Sequence, residues 1–388
     1  MATDSWSLQP LGNLFPKIVV GYVGNVNKYY CEADTGVPFY RTLNIRDGHF
    51  RHDEIRYVTR AFNDKNKKSQ IENGDVVIAR VGANLGMTCQ VTGLQGSANM
   101  ANAIIIKAKD AIGADPDFFA YYLVSPMGKN QIFSGAAGGA QGVFNTKLTQ
   151  EILVPNPPLP EQKKIAEILS TWDQAITATE RLLENSQQRK KGLMQQLLTG
   201  KKRLPGFEGE WEEGHLKDIT AISKGKALSS KDLEDGVFPV VAGGKTSPYT
   251  HKTYTHDHAI TVSASGAYAG YVAYHEYKFW ASDCSVVEAT DRSVIEFLYH
   301  LMTWNQKRIY ALQSGGAQPH VYPKDLHAIR VLIPPKSEQK AIADVLTVAG
   351  REIGMLKSKI DFLRSEKKAL MQQLLTGKRR VKVEADAA

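Results

Sequence analysis

Three short stretches carry residue types that could do chemistry. The first is Asn156-Pro157-Pro158-Leu159, inside "VPNPPLPEQKKIAEIL" at 154–169. It differs by one residue from the Asn-Pro-Pro-Tyr/Phe loop of enzymes that methylate exocyclic amines of nucleobases. That chemistry needs an Asn to accept from the amine, prolines to fix the backbone, and an aromatic ring to stack on the extruded base. Leu159 cannot stack in that way, and no FxGxG-type loop for a methyl donor follows a strand upstream. The second stretch, "GGKT" at 243–246, suggests a phosphate cradle, but such a loop needs a glycine where Pro239 stands. The third, "HKTYTHDH" at 251–258, has metal-binding side chains, yet no second cluster with zinc spacing follows it. An exposed polar loop is the simpler reading. Cys31, Cys89 and Cys284 form no CxxC pair, which suggests reduced thiols and gives no zinc site. No Ser/His/Asp or paired-carboxylate arrangement stands out. The sequence therefore predicts a chain without catalytic residues, and without a metal or cofactor of its own.

What must position these stretches is an internal repeat. "KKGLMQQLLTGKKR" at 190–203 returns as "KKALMQQLLTGKRR" at 367–380, an offset of 367 − 190 = 177. "PPLPEQKKIAEIL" at 157–169 and "PPKSEQKAIADVL" at 334–346 share that offset, as do "GGAQ" at 138–141 and 315–318. Three ungapped matches at one offset mean that a long segment was duplicated. Upstream the copies diverge but remain alignable. "WSLQPLGNL" from Trp6 resembles "WEEGHLKDI" from Trp211, "VGANLG" at 81–86 resembles "SGAYAG" at 265–270, and "DFFAYYL" at 117–123 resembles "IEFLYHL" at 295–301. In the second copy Ile333 replaces the Asn of the NPPL stretch while both prolines persist, so the prolines read as the approach to a helix.

The near-identical segments carry a heptad seam, with steps alternating four and three. In the first copy it runs through Ile165, Leu169, Trp172, Ile176, Thr179, Leu183, Ser186, Lys190, Leu193 and Leu197. In the second it runs through Ile342, Leu346, Ala349, Ile353, Leu356, Ile360, Leu363, Lys367, Leu370 and Leu374. Pro160 and Glu161 suit a first helical turn, Ser337 is a candidate N-cap, and Gly200 and Gly377 sit where left-handed C-caps are wanted. From Glu161 to Thr199 such a helix is roughly 58 Å long. A helix that long cannot bury its stripe within one small domain. The sequence predicts an intramolecular two-helix coiled coil, the alternative being two helices each packed on its own domain. Antiparallel pairing is favoured because it gives a pseudo-two-fold and separates the variable regions, whereas parallel pairing crowds them.

The variable regions read as mixed β/α domains. "GDVVIARVG", "NAIIIKAK", "HAITVSAS" and "CSVVEAT" are predicted strands, and "PDFFAYYLVSP" and "SVIEFLYHLMTWNQKRIYAL" short helices. Gly-rich loops such as "SGAAGGAQG" at 134–142 lie between. The fold class expected is α+β: two mixed β/α recognition domains joined by two long antiparallel helices. The boundaries expected are 1–157 and 204–334 for the domains, 158–203 and 335–380 for the helical regions, and 381–388 for a flexible tail. A length of 388 residues suits two or three domains, and no apolar run reaches a membrane span. The N-terminus lacks the basic flank and apolar core of a signal peptide, which with the thiols predicts a cytoplasmic protein. A net charge of +8 favours a polyanionic partner, most simply nucleic acid.

The twice-present G-G-A-Q … P-P-x-x-E-Q-K-x-I-A-x-x-L … L-M-Q-Q-L-L-T-G resembles the specificity subunit of type I restriction–modification enzymes, over essentially the whole chain. That family alternates two target-recognition domains with two conserved helical regions. The resemblance implies that each domain reads one half of a bipartite site on double-stranded DNA, with the helices setting the unread spacer. It also implies two docked methyltransferase subunits and further restriction/translocase subunits. S-adenosylmethionine, ATP and magnesium then belong to those partners. Candidate phosphate contacts are Lys65, Lys67, Lys68, Lys147, Lys224, Lys226, Lys252 and Lys324. Candidate base-reading residues are Arg41, Asn44, Arg46, Arg80, Asn84 and Gln141 in the first domain. In the second they are Lys245, Tyr249, Ser265, Tyr268, Gln318 and His320. Because the two domains differ, unlike half-sites are expected. Two other readings are a protein-binding adaptor and a self-sufficient methyltransferase.

Overall fold

The structure, a computed structural model, describes residues 6–137, 143–229, 231–244, 249–315 and 318–383. It divides into two units. Unit 1 comprises 1–178 and 361–388, and unit 2 comprises 179–360.

In unit 1 the elements are β1 (Leu8–Pro10), α1 (Leu11–Leu14), β2 (Ile18–Val20), β3 (Val37–Tyr40), β4 (Ile45–Arg46), β5 (His49–Phe50) and β6 (Arg56–Val58). They continue with α2 (Arg60–Lys65), β7 (Gln70–Ile71), β8 (Val76–Ala79), β9 (Thr88–Gln90), β10 (Ala98–Met100) and β11 (Ala103–Ile106). Then come α3 (Pro116–Val124), α4 (Pro126–Ala137), α5 (Thr146–Gln150), β12 (Leu153–Pro155) and the first long helix, α6 (Leu159–Leu197), of which 159–178 belong to this unit. An antiparallel sheet in the order β2-β11-β8-β9 is the centre. β8 (VVIA) and β11 (AIII) are buried at every position because both sheet faces are covered. Ile18, Val76, Ile78, Ile104 and Ile106 pack on Phe118, Phe119 and Leu123 of α3 and on Ile165 and Leu169 of α6. Val77, Ala79, Cys89 and Ile105 face the other way, with Ile45, Phe50 and Met100. A second sheet, β6-β3-β10-β7, contains one parallel pair, β3 with β10.

Unit 2 repeats the plan after α6 with β13 (Glu212–His215), β14 (Thr220–Lys224), β15 (Phe238–Val241), β16 (Thr250–His251), β17 (Ala259–Ser263), β18 (Val272–His275), β19 (Trp280–Ala281) and β20 (Cys284–Ala289). α7 (Ile295–Trp304), α8 (Gln306–Tyr310), α9 (Pro323–His327), β21 (Arg330–Ile333) and the second long helix, α10 (Lys336–Leu374), of which 336–360 belong to this unit, follow. The main sheet is β14-β20-β17-β18, and the second is β16-β15-β19 with β15 and β19 parallel. Register is shared as well as order. Val77 lies opposite Cys89 and Thr261 opposite Ala273, both pairs displaced by 261 − 77 = 184.

Both long helices have 39 residues, and their bounds differ by the repeat offset, since 336 − 159 is 177. Within unit 1 the start of α6 pairs with the end of α10 and the segment after it: Asp173 meets Lys367, and Glu161 meets Arg380. Within unit 2 the end of α6 and the segment after it pair with the start of α10: Arg189 meets Glu352, and Arg203 meets Glu338. Numbers rise on one side as they fall on the other, so the pairing is antiparallel. Every seam residue from Ile165 to Leu197 and from Ile342 to Leu374 is buried or half-buried. The helix ends pack on the domain cores too, so pairing and domain packing coexist.

Two local expectations are corrected. Ser337 is no N-cap, because α10 begins at Lys336 and the backbone carbonyl of Pro335 accepts from Glu338 and Gln339 N–H, both at 2.9 Å. Pro158 does the same for Glu161 and Gln162. Glu161 does lie in the first turn of α6, and it is 2% exposed. Residues 134–137 of the expected Gly-rich loop are helical, because α4 continues through them. Gly200 and Gly377 do take left-handed φ, +69° and +71°. At each, a Cβ would also meet a tryptophan ring at 3.3 Å, Trp211 and Trp6 respectively.

Candidate nucleic-acid interface

The matched sheets end in matched turns. In unit 1 the 3-10 turn Gly82–Asn84 joins β8 to β9, and in unit 2 Gly266–Tyr268 joins β17 to β18. Beside each runs the chain that follows the GGAQ motif. Phe144 N–H donates to the Arg80 carbonyl at 3.2 Å, and Val321 N–H to the Ala264 carbonyl at 3.0 Å. Both units thus place one turn and one loop together at the same edge of the same sheet.

Most first-domain candidates gather there. Arg46 Nη1 donates to Asn84 Oδ1 at 3.1 Å, and Asn84 Nδ2 to the Thr42 carbonyl at 3.4 Å. Arg41 is half-buried, with Nη2 on the Glu54 carbonyl at 2.8 Å. Arg80 lies at the end of β8, and its Nε is buried with no hydrogen-bond partner among the described residues. Asn44 is in the cluster but turned inward. It is fully buried, accepts from Arg41 N–H at 2.9 Å and donates to the carbonyls of Arg51 and Asp53, so its amide shapes the loop. Gln141 lies outside the described residues.

In unit 2, Ser265 and His320 form a β-bridge, and Ser265 Oγ donates to Asp283. His320 stacks on Tyr322 with centroids 5.9 Å apart. Tyr268, in the turn, is 44% exposed and Tyr249 54%; Gln318 is exposed beside the bridge. Lys245 lies outside the described residues.

The lysine candidates are more dispersed. Lys65, Lys67 and Lys68 are exposed on and after α2. Lys147 is a solvated side chain on α5, 4.0 Å from Glu151, and Lys252 stands 3.9 Å from Glu234. Lys224 is exposed at the end of β14. Lys226 and Lys324 lie over the rings of Trp280 and Tyr322, at 5.3 and 5.8 Å.

Two of the three apparent catalytic stretches have structural roles. Asn156 accepts from Gln162 Nε2 at 3.1 Å, helping to set the start of α6. His251 Nδ1 accepts from Thr253 N–H at 3.0 Å, and His258 bonds to Asp257 at 2.7 Å. Gly243 and Gly244 of GGKT follow β15, while Lys245 and Thr246 lie outside the described residues.

Sequence reasoning missed what the Glu-Gln pair at each helix start does. Glu161 receives Nε and Nη2 of Arg380, each at 2.7 Å. Glu338 receives the same two groups of Arg203, each at 2.6 Å, and Trp211 Nε1 at 2.9 Å. The two guanidiniums lie over Trp6 and Trp211, at 5.4 and 5.3 Å. The neighbouring Gln162 and Gln339 are fully buried and stitch the helix start to the chain before α3 and α7. The signal for all of this lies in the sequence: Glu and Gln persist in both copies while Leu159 and Pro160 become Lys336 and Ser337.

This twofold plan has known counterparts. The family model described as "Type I restriction modification DNA specificity domain" matches residues 11–185 and 208–363, and the chain belongs to that family. It is 25% identical to the putative type I restriction enzyme MjaX specificity subunit of Methanocaldococcus jannaschii, over 98% of this chain and 95% of that protein. The MjaVIII specificity subunit of the same organism is 24% identical, over 90% of this chain and 88% of that protein. A crystal structure of the type I restriction–modification S subunit from M. genitalium has the same fold, with a TM-score of 0.68, 16% identity and 97% of each chain covered.

Proposed function

We propose that the chain is the non-catalytic DNA-specificity subunit of a type I restriction–modification enzyme. The observation that carries this reading is the matched pair of sheet-edge sites. The β8–β9 and β17–β18 backbones match residue for residue through their turns, while the side chains presented differ: Asn84 against Tyr268, Arg80 against Ala264. A shared frame with unlike side chains suits a protein that reads two unlike half-sites on duplex DNA. Residues 1–157 and 204–334 serve as the recognition domains in this reading, and 158–203 and 335–380 as the helical regions that set the spacer. Two methyltransferase subunits dock on the chain, with restriction/translocase subunits joining them. S-adenosylmethionine, ATP and magnesium are held by those partners, and the complex works in the cytoplasm. Among the described residues no helix is long and apolar enough to cross a membrane.

The test is a methylome of the native host compared with a deletion of this gene. A bipartite adenine-methylation motif should vanish in the deletion strain and return on complementation. An unchanged methylome in a host with an active system refutes the reading. An adaptor that binds only proteins should show no salt-dependent, sequence-selective binding to duplex DNA.

A further inference from the structure

We infer that Arg46 is a guanine-reading residue of the first half-site, carried on the β4–β5 hairpin, which has no counterpart among the described residues of unit 2. The inference rests on the proposed function and deepens it.

Two backbone groups at the matched sheet edge show how the hairpin is held. In unit 2 the N–H of Val272 donates to Gln306 Oε1 at 3.1 Å, and Gln306 Nε2 donates to the Gly270 carbonyl at 2.7 Å. A single neutral side chain satisfies both. The equivalent groups in unit 1, displaced by the same 184 residues, are Thr88 N–H and the Gly86 carbonyl. Thr88 N–H donates to Asp47 Oδ1 at 3.0 Å, and Lys129 Nζ donates to the Gly86 carbonyl. Lys129 stands where Gln306 stands, because 306 − 129 is again 177. Lys129 also pairs with Asp47, and Gly48 N–H donates to the Thr88 carbonyl at 2.9 Å. The Asp47–Lys129 ion pair therefore does what Gln306 does alone, and in doing so fastens the hairpin tip.

The surface beneath the hairpin has changed with it. Ile45 and Phe50 pack with Val77, Ala79, Cys89 and Val91. The matched positions of unit 2 are Thr261, Ser263, Ala273 and His275, where Thr261 Oγ1 and His275 Nε2 bond to each other at 2.8 Å. A largely polar floor needs no apolar cover. Relative to the described residues of unit 2, the hairpin is thus an added element with its own latch and its own buried footing.

What the latched hairpin presents is Arg46. Strand alternation buries Ile45 and turns Arg46 outward. Nη1 is committed to the Ile45 carbonyl at 2.9 Å and to Asn84 Oδ1 at 3.1 Å. Nε and Nη2 have no hydrogen bond among the described residues, and Arg46 has no carboxylate within ion-pair distance among them. Asp47, its neighbour, is occupied by Lys129 and Thr88. A guanidinium held on one edge offers two donors at fixed spacing on the other, which matches O6 and N7 of guanine in the major groove. A phosphate contact would need the charge but not the orientation.

The experiment is a methylome from hosts carrying the full enzyme with wild-type, Arg46→Ala, Arg46→Lys or Asp47→Ala specificity chains. The wild-type motif should contain a guanine, on either strand, in the half read by unit 1. Arg46→Ala should make one base pair of that half degenerate, leaving the other half and the spacer unchanged. Affinity for the cognate duplex over the single mismatch should fall on the order of 10- to 100-fold. Arg46→Lys should relax the same position, since it keeps the charge and loses the fork, and Asp47→Ala should loosen it more weakly. Retention of the guanine in all three variants overturns the inference, as does rescue of Arg46→Ala behaviour by lysine. If Arg46→Ala abolishes methylation altogether, the lysine variant decides. A wild-type chain that selects no sequence refutes the proposed function instead, which separates the two failures.

Discussion

Replacing Gln339 by Met should cost unit 2 about 3 kcal/mol, a loss that can be worked from the groups it strands. Gln339 is fully buried. Its Oε1 accepts from Val294 N–H at 3.1 Å, and its Nε2 donates to the carbonyls of Pro334 at 2.9 Å and Arg292 at 3.0 Å. Methionine has nearly the same length and no polar end of comparable strength, so packing is conserved and all three bonds are lost. An unsatisfied buried polar group costs about 1–3 kcal/mol. Pro334 is buried and takes about 2 kcal/mol of this, whereas Val294 is half-buried and Arg292 exposed, so water relieves them to about 0.5 kcal/mol each. Gln339→Glu should cost more, because it buries a charge and turns acceptors on two carbonyls. Gln162→Met should do to unit 1 what Gln339→Met does to unit 2, since Gln162 accepts from Asp115 N–H at 2.7 Å and donates to the Pro157 carbonyl at 2.8 Å. Urea unfolding of the full chain, with hydrogen exchange to assign the transition, reads the effect. At roughly 2 kcal/mol per M, the midpoint of the affected unit should fall by about 1–1.5 M. The exposed Gln195→Met is the control. A shift no larger than that control would refute the reasoning that these glutamines hold the helix starts.

Acid should destabilise unit 2 through two buried imidazoles. Burial holds His275 and His300 down to about 4, so between their unfolded value near 6.5 and about 4 only the unfolded chain takes up protons. Their contribution is intact above pH 6.5 and is lost as pH falls towards 4, about 2 kcal/mol each between pH 7 and 5, and His275→Gln should flatten the thermal-melting profile over that range. Gly350→Asp should stabilise unit 2. It places at the matched position the carboxylate that Asp173 offers Lys367, beside half-buried Lys190, whose Nζ lies 2.8 Å from where a Gly350 Cβ would stand. Helix propensity and pairing together suggest about 1 kcal/mol by chemical denaturation, and a loss of stability would show that Lys190 cannot move aside.

The long helices were legible because duplication exposes them: the offset of 177 marks the repeat, and the alternation of four and three fixes the seam residues, which the structure buries or half-buries without exception. The main strands were legible for a related reason, since Val76–Ala79 and Ala103–Ile106 are short apolar runs covered on both faces. The recognition surface was legible only in part. Asn44 and Arg46 are two residues apart and both look suited to base edges, yet one is spent inside a loop and the other faces out. That difference depends on the hairpin between Ile45 and Phe50, whose latch pairs Asp47 with a lysine 82 residues away. No periodicity encodes such a contact. The α4 helix was missed because Gly128 and Gly135 give "PMGKNQIFSGAA" the look of a loop, although Gly128 packs so closely on α3 that a Cβ would lie 2.4 Å from the Tyr122 carbonyl oxygen.

The direction of helix pairing was, by contrast, written in the charges. Each helical region begins with an acidic residue, Glu161 or Glu338, and ends with a basic run, 201–203 or 378–380. Both glutamates are buried, 2% and 0% exposed. Parallel pairing would bring those two starts together and bury two carboxylates side by side, an arrangement that costs several kcal/mol per uncompensated charge. Antiparallel pairing brings each glutamate to the arginine that follows the other helix. That is the observed geometry: Arg380 on Glu161 within unit 1, and Arg203 on Glu338 within unit 2, each a two-pronged bond roofed by a tryptophan from the start of the domain it serves. Each unit is therefore closed by residues from both repeats. Retention of Glu and Arg in both copies follows, because loss of the arginine would leave a buried carboxylate without its partner.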